Sequence, residues 1–151
     1  MRRCDCRGRK ARTVEIHQVG ENALKQTAGK IDIPQESDEQ IALFKWLALA
    51  FPKLIAYHVP NGGKRSLRTA VRLKKEGVKA GVPDVIIAKR SGIYAGMYIE
   101  LKRRKGGVLS ETQRDMIAAL RFEGYYVAVC KGWDEARDAI LKYLSFGEPV
   151  L

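Results

Sequence analysis

The stretch Gly81–Gly107, "GVPDVIIAKRSGIYAGMYIELKRRKGG", decides how this chain is read. It contains two short apolar runs, "DVIIAKR" and "IYAGMYIELK", separated by a turn at Ser91 and Gly92. Both are rich in β-branched or aromatic residues, so both are predicted strands. The short separation predicts an antiparallel hairpin. Side chains alternate between the two faces of a strand, so Glu100 and Lys102 point one way while Ile99 and Leu101 point the other, toward a core. Asp84 enters the first strand directly after Pro83. Hairpin pairing would bring Asp84 and Glu100 to the same end of neighbouring strands. Two carboxylates held there repel each other unless a cation offsets them, and oxygen donors suit Mg²⁺ or Mn²⁺. Lys102 beside such a site would orient or deprotonate a water, or stabilise charge on a phosphate. The competing reading is ordinary surface charge at strand ends.

Around this hairpin the chain alternates helices with strands. "PQESDEQIALFKWLALAFP" predicts a helix opened by Pro34, with acids in its first turn. Its apolar face would be Ile41, Leu43, Phe44, Leu47 and Leu49. "KLIAYHVP" reads as a strand and "NGGKR" as a turn. Ser66 would cap a basic helix, "LRTAVRLKKEG", that stops at Gly77. After the hairpin, "LSETQRDMIAALRFEGY" predicts a helix capped near Ser110 or Thr112, with Met116, Ile117 and Leu120 inward. "YYVAVC" predicts a buried strand, and "WDEARDAILKYL" a last amphipathic helix. The order α-β-α-β-β-α-β-α predicts an α/β layer fold with a mixed central sheet flanked by helices.

Composition narrows the function. The 151 residues suit a single ordered domain, expected over 35–151, after a basic and largely flexible arm over 1–34. Lys plus Arg number 28 against 17 Asp plus Glu, a net charge of +11. Such a balance points to a polyanion, either nucleic acid or an anionic membrane. No apolar run has the length of a membrane span, and no apolar stretch follows the basic N-terminus as in a secretory signal. The three cysteines are too few for a disulfide framework. Cys4 and Cys6 are poorly spaced for zinc and read as reduced thiols of a cytoplasmic protein. Nucleic acid is therefore the expected partner, without a small-molecule cofactor.

Basic residues cluster near the hairpin. Lys64, Arg65, Arg68 and Arg72 precede it, with Lys74, Lys75 and Lys79. Arg103, Arg104 and Lys105 follow it. Arg65, Arg68 and Arg72 share one helical face by their spacing, and contact with phosphates is expected there. The turn at Asn61 would let backbone approach DNA, although turn chemistry alone also explains it. His58 reads as a packed or hydrogen-bonded strand residue. Trp46 and Trp133 read as core or interface positions.

The set "PDVIIA…MYIELK" resembles the PD-(D/E)XK nuclease motif. More narrowly, the chain resembles the VRR-NUC domain, the virus-type replication and repair nuclease. The likeness rests on "ESDEQ", "VPNGGKR", "LKKEGVKAGVPDVII", "YIELK" and "LSETQRDMIAALRFEGYYVAVCKGWDEA" in that order, roughly over 36–144. It implies a restriction-endonuclease-like fold and a Mg²⁺- or Mn²⁺-dependent endonuclease of DNA repair. It also implies roles. Asp84, Glu100 and the Leu101 carbonyl would ligate the metal. Lys102 would activate or position the attacking water. Gln113 would orient Lys102 or the scissile phosphate. Glu36 would hold metal-bound water or a second ion. Stand-alone domains of viral type resemble junction resolvases, which implies a homodimer acting on branched DNA, in the host cytoplasm if the chain is viral. The rival expectations are a monomeric flap or nicking nuclease, a sequence-reading restriction-like enzyme, an RNA-directed nuclease, and a non-catalytic nucleic-acid-binding module.

Overall fold

The computed structural model describes residues 34–60 and 66–147. All but Pro34 of the arm expected over 1–34 lies outside them, as do Cys4, Cys6, Asn61, Lys64 and Arg65. The described elements are α1 (Glu36–Ala50), β1 (Ala56–His58), α2 (Leu67–Lys75), β2 (Val85–Ile87), β3 (Met97–Lys102), α3 (Glu111–Phe122), β4 (Tyr126–Lys131) and α4 (Trp133–Leu144). The four strands form one mixed sheet in the order β1-β2-β3-β4. The first two pairings are antiparallel and the last is parallel. The architecture is thus the predicted α/β fold, hairpin included.

Register assigns every side chain to a face. Val85 pairs with Ile99, and Ile87 with Met97. With Leu101 and Cys130 they form one apolar face. Helices α1 and α4 cover it with Leu43, Leu47, Ala136, Ile140 and Tyr143. Tyr98, Glu100 and Lys102 therefore occupy the opposite face. Helix α3 packs there against β4, with Ile117 and Val127 buried. Burying one face of a strand fixes its register, because a one-residue slip would expose the whole apolar set.

Several boundaries and faces differ from the sequence reading. β1 has three residues rather than the eight of "KLIAYHVP", because its partner among the described residues, β2, is itself three residues long. "YYVAVC" lies at the sheet edge, so Val129 is exposed on its outer side rather than buried. On α1 the expected apolar face included Ile41 and Leu49, yet these are 53% and 86% exposed. The buried line is Glu39, Leu43 and Leu47, spaced by four.

Glu39 is charged and only 3% exposed, and its partners explain the exception. Its Oε1 accepts from Arg104 Nε at 2.6 Å, and its Oε2 from Arg104 Nη2 at 3.2 Å. The same Oε2 accepts from the Trp133 N–H at 2.9 Å. That N–H belongs to the first turn of α4, whose N-cap Gly132 offers no side chain. Glu39 therefore caps α4 from another helix, satisfying a donor that helix geometry leaves free. Arg104 also donates to Asp134 Oδ1 at 2.5 Å. Glycine is required at 132: its φ is +91°, and a Cβ there would lie 2.7 Å from the Arg104 guanidinium.

The Arg104 hydrogen bond holds the Glu39 carboxyl below its ordinary value of 4.5. The stability it contributes is full above that ordinary value and is lost as pH falls through the lower folded value. Glu39→Ala, which leaves the Trp133 N–H unpartnered and Arg104 with Asp134 alone, is expected to cost about 1–3 kcal/mol in urea unfolding at neutral pH. The gap in stability between the native chain and Glu39→Gln should narrow as the buffer is taken below pH 4.5.

Candidate active site

Asp84 precedes β2 by one residue, and Glu100 is the fourth residue of β3. Because Val85 pairs with Ile99, Asp84 and Glu100 stand opposite each other one step further along the hairpin. Asp84 is anchored at its backbone: its carbonyl accepts from the Val59 N–H at 2.8 Å and lies 2.8 Å from His58 Nδ1. A carbonyl can only accept, so His58 carries its proton on Nδ1. One Asp84 carboxylate oxygen, Oδ2, accepts from the Leu101 N–H at 2.9 Å.

Glu100 is 1% exposed. Its Oε1 accepts from Lys102 Nζ at 2.7 Å and also from Gln113 Nε2. Gln113 reaches it because the Ser110 cap sets the start of α3. The Ser110 side chain accepts from the Gln113 N–H at 3.2 Å, and the Ser110 N–H donates to Gln113 Oε1 at 3.0 Å. This reciprocal capping box holds the Gln113 amide in place. Gly81 brings the loop before β2 against the same helix start: at φ +81°, an added Cβ would collide with the Thr112 carbonyl.

Burial pushes the Glu100 carboxyl upward, and the Asp84 charge adds to this against the opposing pull of Lys102. Burial also pushes Asp84 upward, partly offset by its bond from the Leu101 N–H. Glu100 Oε2 is buried and has no hydrogen-bond partner among the described residues. An orphaned carboxylate oxygen beside a second raised carboxylate is the donor set a hard divalent cation relieves.

The Leu101 carbonyl fits the same set. In an extended strand, a residue's N–H and C=O point to the same edge. The Leu101 N–H faces Asp84, whereas the Lys102 carbonyl accepts from the Gly132 N–H on the β4 side. The Leu101 carbonyl thus faces the Asp84 side. Among the described residues no three His, Cys, Asp or Glu side chains group together as a metal cage. A cation would therefore take Asp84, Glu100 and this carbonyl and complete its shell with water, as Mg²⁺ prefers.

A cleft of about 420 Å³ opens beside Asp84, lined also by Glu36, Gln40, His58 and Leu101 among others. A larger apolar cleft of about 620 Å³ lies at the far end of the sheet, between Phe51, Ile55, Ala88 and Leu144. It carries no carboxylate, so size does not locate the chemistry.

The profile of the VRR-NUC domain matches residues 35–134, about two thirds of the chain. A solved structure described as a VRR_NUC domain protein superposes with a TM-score of 0.66 at 28% sequence identity, covering 78% of this chain and 93% of the other. No curated protein sequence matches. The chain belongs to the VRR-NUC domain family. Membership carries a nuclease-type function and, with it, DNA as substrate. No helix among the described residues is long and apolar enough to cross a membrane.

In this VRR-NUC domain, Glu36 lines the cleft, and its Oε1 accepts from the Arg103 N–H at 3.1 Å. Gln113 bonds to Glu100 rather than to Lys102. Of the basic residues, Arg68, Arg72, Arg103 and Lys105 are exposed, and Arg72 pairs with Glu76 at 3.1 Å. Arg104 departs from its expected place on the phosphate surface, because Glu39 and Asp134 engage its guanidinium. The sequence reading missed Glu39 and Arg104 as a pair. The one available signal was the i, i+4 placement of Glu39 with Leu43 and Leu47, which puts an acid on the buried stripe.

Neutralising Glu100 should stabilise the metal-free protein. Its charge is penalised in the folded state, so that cost is full above the raised folded value and absent below the ordinary carboxylate range. Glu100→Gln is expected to gain about 0.5–2 kcal/mol in chelator-treated protein at pH 8. The gain should fade as pH falls to 4. Denaturant titrations at the two pH values check both parts.

Proposed function

We propose that this VRR-NUC domain is a Mg²⁺- or Mn²⁺-dependent endodeoxyribonuclease that hydrolyses phosphodiester bonds in branched DNA, acting on four-way junctions as a homodimer. The observation that carries the metal-dependent reading is the facing pair of raised carboxylates, Asp84 and Glu100, with Glu100 held through Oε1 by Lys102 and Gln113 and its Oε2 unpartnered among the described residues.

A bound divalent cation would supply Lewis-acid polarisation of the scissile phosphate. The chain's own residues supply positioning. Lys102 has three donors and no acceptor, and Glu100 holds its ammonium in place. In that arrangement it activates or positions the attacking water and offsets phosphate charge. Gln113 locks Glu100, and Glu36 adds a carboxylate at the mouth of the cleft for outer water or a second ion. Arg68, Arg72, Arg103 and Lys105, together with Asn61, Lys64 and Arg65, bind the phosphate backbone, which positions DNA without reading bases.

The homodimer reading draws on α1, which leaves Ile41 and Leu49 exposed. A twofold pair of sites suits the approximate twofold symmetry of a junction nicked on opposed strands.

Asp84→Asn and Glu100→Gln are expected to abolish Mn²⁺-dependent cleavage while DNA binding persists, with calorimetry showing lost metal affinity. Lys102→Ala should retain metal binding and lose about 10²–10³-fold in cleavage rate. Full activity of both carboxylate variants would overturn the site. Light scattering should report twice the 16.9 kDa chain mass, and a mobile junction should yield symmetric nicks. A monomer that cuts flaps and spares junctions would leave the metal site standing and replace the resolvase reading.

A further inference from the structure

The sheet face that carries Glu100 also carries a row of aromatic and apolar side chains. Tyr57 pairs with Ile86, and Ile86 with Tyr98. The three lie side by side across β1, β2 and β3. They sit two residues along from Val59, Asp84 and Glu100, on the same face, which is roughly 6.6 Å along each strand. Helix α3 covers this face at β4, leaving Tyr57 48% exposed and Ile86 and Tyr98 half-buried. Tyr98 is held in one orientation by an edge contact with Tyr125, ring centroids 5.1 Å apart and planes at 89°. On the far side of the carboxylates, Lys102 and Lys131 pair on the same face.

A partly open row of Tyr57, Ile86 and Tyr98 beside Asp84 and the buried Glu100, with the exposed Lys131 beyond them, has the makings of a single-strand track. Aromatic faces stack on bases, whatever their identity, while lysines hold the backbone.

We propose that Tyr57 and Tyr98 form a stacking platform for an unpaired nucleobase adjoining the scissile phosphate. This rests on the nuclease reading of Asp84 and Glu100 and deepens it. It assigns the reacting form as DNA with at least one unpaired base at the cut, which in a four-way junction is a base opened at the branch point, and it gives the enzyme a physical means of telling branch points from continuous duplex. In a continuous duplex the bases are stacked on each other, so the platform has nothing to receive.

The test is binding in a chelator, with a short labelled oligothymidylate and a blunt duplex as probes, read by anisotropy. Tyr57→Ala is expected to weaken the oligothymidylate about tenfold and leave the duplex unchanged. Tyr57→Trp should bind the oligothymidylate at least as well as the native chain. A 2-aminopurine placed in the oligonucleotide should lose fluorescence on binding, and less so with Tyr57→Ala. Equal oligothymidylate affinity in the native chain and Tyr57→Ala would overturn the platform. Parallel weakening of both probes would overturn it too. So would a drop in light-scattering mass for Tyr57→Ala, which would mark the row as a contact between copies. Because the readout is binding without divalent cation, its failure is separable from a failure of the carboxylate site, which cleavage by Asp84→Asn reports.

Discussion

The position of α1 depends on one buried carboxylate. Glu39 gives up water to bond the Arg104 guanidinium and the first free N–H of α4 together. It joins the first helix of the domain, the segment after the central strand and the last helix. Removing charge from water costs several kcal/mol, and only a full set of partners offsets it. Glu39 has that set. One turn earlier on α1, Glu36 accepts from the Arg103 N–H. Successive residues after β3 are thus clamped to successive turns of α1. The clamp holds the end of β3, where Glu100 and Lys102 sit, at a fixed depth beneath the helix.

The candidate site inverts this arrangement. Glu39 is buried and its charge is favoured; Glu100 is buried and its charge is disfavoured. Both accept a charged donor, but Glu100 also faces Asp84 and leaves one oxygen unpartnered. A fold that needed only stability would place a neutral residue at 100. On the proposed reading, a bound cation would offset the cost of retaining a carboxylate there. With Gln113 and Lys102 holding Glu100, little reorganisation would be left for that binding.

Much of this was legible locally. Strand alternation in "MYIELK" separates Glu100 and Lys102 from Ile99 and Leu101, and the structure keeps that division. The Ser110 cap and the Gly77 stop also appear where local rules put them. Side-chain partners over long separations were not legible. Glu39 and Arg104 are 65 positions apart, and nothing in either neighbourhood names the other. Arg104 looked like its neighbours Arg103 and Lys105, since local sequence gives all three the same charge and exposure. Ile41 and Leu49 looked buried because apolarity is a local property, whereas burial depends on which stripe meets the sheet.

By itself, the sequence determined the element order, the hairpin, the faces of its strands and the candidate residues for the chemistry. These follow from periodicity, turn chemistry and caps, all of which act over a few residues. Tertiary structure alone decided that Glu39 would anchor α4, that Gln113 would bond Glu100, that β4 would be an edge, and that Tyr57 would share an open face with the carboxylates. Each of these is set by which surfaces pack together, and packing is a property of the whole chain rather than of any segment of it.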